Sequence, residues 1–158
     1  MSYDHEKYGV VQRKWFGLTK KCGGDAASGF TFGTNAATVR DHVVRYYPKG
    51  PIKLLKFGAL CLATMSDTLG TPDKVTCRLY CDSGVEASID LATDTAAFAI
   101  SSTTTFTSAT VGPGSYLAID NATPDTDKGT DAENGTTSGT VAFFIDYHPI
   151  YHESKWNN

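Results

Sequence analysis

An all-β fold, an antiparallel β-sandwich or jelly roll with an extended N-terminal arm, is what this sequence predicts, and three observations predict it. Apolar residues recur at every second position in several runs, and no long window repeats them at the three-to-four spacing of a helix. Threonine, serine, glycine and β-branched residues dominate, a composition suited to pleated strands and the turns between them. The chain has 158 residues, 41% of them hydrophobic, enough to bury one substantial core and too few for two ordinary domains.

Residues 1–50 read as a partner-facing arm holding one or two strands, with the sandwich itself over 51–158. Within the arm, 10–18 and 39–47 are strand candidates, while 22–38 is a Gly-, Ala-, Ser- and Thr-rich stretch interrupted by an aromatic anchor, Phe30 and Phe32. Residues 52–65 carry Leu54, Leu55, Phe57, Leu60 and Leu62, the nearly continuous apolar run of a central strand buried on both faces. Gly58 within that run marks a bulge or a close backbone approach. From Lys74 to Cys81, Val75, Cys77, Leu79 and Cys81 fall on one face and Lys74, Thr76, Arg78 and Tyr80 on the other. After the turn Asp82-Ser83-Gly84, residues 85–91 place Val85, Ala87, Ile89 and Leu91 inward, so the two runs form a hairpin. Shorter candidates follow at 96–100, 104–111 and 116–120, and 121–138, with Asp125, Asp127, Asp131 and Glu133, reads as a long solvated loop. The last strand, 140–147, sets Val141, Phe143, Ile145 and Tyr147 on one face; Phe144 makes the other face partly apolar and predicts cover on both sides.

Several function classes lack their signatures. A net charge of −3 provides no broad positive field for a nucleic-acid backbone, and Arg13, Lys14, Lys20 and Lys21 read as a solvated or partner-facing cluster. No stretch reaches the ~18 apolar residues of a membrane-spanning helix. The polar start, Met1 to Glu6, lacks the apolar centre of a secretion signal, so folding in a cytoplasm is expected. Of Cys22, Cys61, Cys77 and Cys81, three lie in strand-like runs and read as buried thiols. Cys77 and Cys81 would stand about 13 Å apart on a straight strand, beyond disulfide reach.

No Gly-x-Ser-x-Gly nucleophile turn is present, so Ser28 and Ser115 read as loop residues. His148 and His152 have the spacing of a helical metal pair, but Pro149 lies between them and a strand precedes them, so a surface or interface role is expected, as for His5 and His42. The acidic loop lacks the flanking helices of a helix-loop-helix calcium site, and Gly129 takes a ligand position. Gly112-Pro113-Gly114 is a turn, not a phosphate cradle. The expectation is a protein without catalytic residues, cofactor or metal.

The aromatics carry the most information. Trp15-Phe16 and Tyr46-Tyr47 are adjacent pairs, and neighbours on a strand face opposite sides, so one of each must find a surface beyond its own core. The candidate interface residues are Trp15, Phe16, Phe30, Phe32, Tyr46, Tyr47, Tyr151 and Trp156.

The run Gly139-Thr140-Val141-Ala142-Phe143-Phe144-Ile145-Asp146-Tyr147-His148-Pro149 resembles the closing strand of small tailed-phage virion proteins, and Tyr151-His152-Glu153-Ser154-Lys155-Trp156 is similar to their tails. Pro51-Ile52-Lys53-Leu54-Leu55-Lys56-Phe57-Gly58-Ala59, the strand at 85–91 and Pro113-Gly114-Ser115-Tyr116-Leu117-Ala118-Ile119 extend the likeness over roughly the last two thirds of the chain. The resemblance is to the capsid decoration, or cement, proteins of tailed bacteriophages. It implies a jelly-roll-like sandwich, made in the host cytoplasm and assembled as a homotrimer on the outer capsid surface over junctions of the major capsid protein. Its expected partners are the major capsid protein and further copies of itself, with neither nucleic acid nor membrane. Two rival readings are a carbohydrate- or receptor-binding sandwich module of the virion, using paired tyrosines as stacking platforms, and a head-tail or tail adaptor.

Overall fold

The computed structural model describes residues 6–22, 45–64, 74–82, 84–92, 95–121 and 137–152, and they fold as two antiparallel sheets. Among the described residues there are ten strands and no helix: β1 (Glu6–Tyr8), β2 (Gln12–Cys22), β3 (Arg45–Tyr46), β4 (Ile52–Cys61), β5 (Lys74–Cys81), β6 (Gly84–Ala92), β7 (Ile100–Thr103), β8 (Thr110–Val111), β9 (Leu117–Asn121) and β10 (Thr137–His152).

The long β10 is the spine of the larger sheet. β4 runs antiparallel along one edge of it, while β2 and β1 lie end to end along the other. β7 and β8 share the far edge of β4 in the same way. Six strands thus fill four positions, β1/β2, β10, β4 and β7/β8, and the second sheet runs β3, β9, β5, β6. Counted by position along the chain, the sheets read first-eighth-third-sixth and second-seventh-fourth-fifth. This interleaving of eight positions is jelly-roll order. The first fifty residues supply β1, β2 and β3, so the sandwich begins ahead of residue 51.

Alternation builds the core, as the sequence predicts. Leu54, Phe57 and Ala59 of β4, Cys77 and Leu79 of β5, Ala87, Ile89 and Leu91 of β6, and Val141, Phe143 and Ile145 of β10 are all buried in one cluster. Phe57 and Phe143 stack across neighbouring strands with centroids 6.3 Å apart. Each large side chain taken fully from water contributes roughly 1.5–3 kcal/mol toward the entropy cost of ordering the chain.

Departures from strict alternation have local causes. A register shift opposite the Leu79–Tyr80 step makes Glu86 an extra residue in β6, so Val85, expected inside, pairs with Tyr80 on the face opposite Leu79 and Cys81 and is left 36% exposed. The run expected as a strand at 96–100 is a turn that reaches β7 only at Ile100. The run expected at 104–111 pairs only at Thr110–Val111, because 104–109 leaves the edge of β4 to bond β6 of the smaller sheet and then returns to β4. There Thr107 donates its backbone N–H to the Glu86 carbonyl (2.8 Å) and its hydroxyl to that of Val85 (2.9 Å), and the Glu86 carboxylate accepts from the Ser108 N–H (2.6 Å). β10 continues through Pro149, where the sequence suggests a strand end. The expected arm at 23–38, the strand candidate before Arg45 and the acidic loop at 122–136 lie outside the described residues.

Candidate functional site

The period-two alternation that sends Val141, Phe143 and Ile145 into the core sends Ala142, Phe144 and Asp146 to the outer face of the larger sheet. Strand register lines up three rows there. Arg13, Asp146 and Lys56 form a charged row; Trp15, Phe144, Gly58 and Ser102 form the next; Ala142, Leu60 and Ile100 form the third.

The middle row depends on a missing side chain. A Cβ on Gly58 would lie 2.6 Å from Cζ of Phe144 and 3.0 Å from the Ser101 carbonyl oxygen, so the ring occupies the space that any larger residue would need. Trp15 tilts against Phe144 with centroids 5.2 Å apart, and the Arg13 guanidinium sits 4.1 Å from the centre of the Phe144 ring. Between them they reduce the exposure of this outward-facing ring to 1%, while Trp15 stays 42% exposed. Asp146 holds Arg13 in place through two hydrogen bonds, 2.6 Å from Nε and 2.8 Å from Nη2. Those bonds hold the Asp146 carboxyl below the usual carboxylate range and push the Arg13 guanidinium up.

Apolar surface extends from the third row. Ile100 is 57% exposed, and two residues earlier Phe98 is 75% exposed with φ at +67°. That left-handed backbone is unusual for an aromatic residue. It is fixed by the Phe98 N–H bonding the Cys61 carbonyl (2.6 Å) and the Cys61 N–H bonding that of Ala99 (3.0 Å).

A second feature lies at the end of the sandwich where the 47–51 connection meets the start of β2 and the end of β10. It is a groove of about 540 Å³, lined by Gln12, Tyr46, Tyr47, Lys49, Tyr147 and Tyr151 together with residues 50–52 and 149–150. At its floor the Tyr46 and Tyr147 hydroxyls are 3.1 Å apart, and Tyr147 donates to Oε1 of Gln12 at 2.9 Å. Burial, then the bond to Tyr147, pushes the Tyr46 phenol well above its ordinary value. Beside the groove His148 Nδ1 lies 2.6 Å from the Gly9 carbonyl oxygen, fastening the β1–β2 junction to β10.

The candidate residues thus separate. Trp15 belongs to the outer face, and the adjacent Tyr46 and Tyr47 meet the distant Tyr151 in the groove. Phe16 is corrected from interface to core: it is the extra residue at the β2 register shift, turns inward and meets Tyr46 edge-on at 6.3 Å. Phe30, Phe32 and Trp156 lie outside the described residues. Sequence reasoning misses Phe98, Ile100, Gln12 and Lys49, since a single apolar residue at a strand start or a lone polar one in a loop carries no pattern. Tyr147 was legible only as a core residue.

Among the described residues no group of three or more His, Cys, Asp or Glu side chains converges as a metal site. Cys61 and Cys77 are buried thiols, and burial, reinforced by Asp82 and Glu86, pushes the half-buried Cys81 thiol up. No family model matches the chain, and no curated protein matches its sequence.

Proposed function

We propose that this chain is a structural protein of a tailed-bacteriophage virion, a non-enzymatic capsid decoration protein that self-associates as a homotrimer and bridges subunits of the major capsid protein. One observation carries the reading: beside its charged row, the outer face of the larger sheet bears Trp15, Phe144, Leu60 and Ile100, with Trp15 and Ile100 left exposed, and Phe98 stands exposed in the turn before Ile100. Clustered exposed apolar side chains on a small domain mark a surface that another protein covers. The jelly-roll order and the resemblance of the strands at 51–59 and 139–149 to tailed-phage virion proteins support the same reading.

The mechanism is multivalent bridging. Several modest apolar patches on one trimer act at high effective concentration, so together they hold capsid subunits that would separate individually under internal DNA pressure. The test adds purified protein to phage capsids lacking it and measures sedimentation and saturation. Stoichiometric binding that Trp15→Ala and Ile100→Glu each weaken about tenfold or more supports the reading. A protein that stays monomeric and does not sediment with capsids contradicts it.

A further inference from the structure

We infer that the tyrosine-lined groove at the end of the sandwich is a saccharide-binding site, separate from the outer-face surface. Its volume of about 540 Å³ falls within the ~300–1,000 Å³ of small-ligand sites. Two exposed rings reach it from different elements: Tyr47, 56% exposed, leans on Tyr116 at 5.6 Å, and Tyr151, 55% exposed, stands against Gly9. Such rings offer π-faces to the C–H faces of a pyranose.

The floor supplies the other half of sugar recognition. Because Tyr147 donates to Gln12, its bond with Tyr46 runs from the Tyr46 hydroxyl, which leaves the Gln12 amide nitrogen two protons to donate. A chain of groups that both donate and accept matches sugar hydroxyls, which do the same. A proline-rich peptide, the other common occupant of aromatic grooves, brings mainly carbonyl acceptors and would leave this chain half used. The lining contains Lys49 and no carboxylate, so neutral and acidic sugars both fit its charge and a basic ligand does not.

The experiment titrates ¹⁵N-labelled full-length protein with galactose, glucose, N-acetylglucosamine, glucuronic acid and sialic acid, and separately with a proline-rich peptide. The expected result is saturable shifts confined to residues around 46–52 and 147–151 with at least one sugar, weakened about five- to tenfold in Tyr47→Ala and Tyr151→Ala. Both replaced side chains are more than half exposed, and the amide spectrum of each variant reports whether the fold persists. Absence of saturable shifts with every sugar, shifts that map elsewhere, or binding of the peptide alone overturns the proposal. Capsid sedimentation of the same two variants stays at the wild-type level, so failure of this inference and failure of the capsid reading remain distinguishable.

Discussion

Gly58 and Phe144 show how one absent side chain organises a surface. Because Phe144 is held by Trp15 and Arg13, the ring has little room to yield to a Cβ placed 2.6 Å away. Gly58→Ala is therefore expected to cost about 1–3 kcal/mol in urea denaturation. The Arg13–Asp146 pair adds a pH-dependent contribution. The folded carboxyl is held below its ordinary value, so the pair stabilises the fold above the unfolded carboxylate pKa and loses that effect as pH falls through the depressed one. With Arg13 42% exposed and screened by water, Asp146→Asn should cost only about 0.5–1 kcal/mol at neutral pH, and the gap from wild type should close in acid. At Phe98, the positive φ costs a side chain about 1 kcal/mol, which offsets glycine's added chain entropy. Phe98→Gly should leave the denaturation midpoint unchanged or raised while capsid binding falls; a fall in stability with binding intact would remove Phe98 from the interface.

At the scale of strands, β10 carries the fold because it is hydrogen-bonded along both edges, whereas β1 and β3 are short and lie at sheet edges. Amide hydrogen exchange should therefore find 141–147 of β10 and 57–61 of β4 the slowest, and β1 and β3 among the first to open. The strands most legible in the sequence were those with the longest alternating or apolar runs: the β5–β6 hairpin, β4 with its singular glycine, and β10 with Phe144 on its second face. What escaped was the bulges. One extra residue, Phe16 in β2 or Glu86 in β6, reverses the facing of its neighbours without altering composition, and period-two reasoning has no means to locate it. The excursion at 104–109 was missed for a related reason, since its threonines suit a strand while its bonds go to β6 of the other sheet.

Over the whole molecule, the jelly-roll order rests on pairings between segments more than a hundred residues apart, such as Trp15 with Phe144, which composition and local patterning do not reveal. The sequence could flag Tyr46, Tyr47 and Tyr151 as surplus aromatics; only the closure of the two sheets brings them together around Gln12 and Tyr147. The larger sheet carries apolar residues on both faces, one face packed in the core and the other offered outward beside its charged row. The capsid reading depends on that outward face, and an electron-microscopy map of the intact particle tests it most directly. The account predicts density for this sandwich in many copies over the shell, with Trp15, Phe98 and Ile100 turned toward capsid or sister subunits. A map that places the chain only at a single vertex or along the tail, or that leaves those three side chains facing solvent, would contradict it.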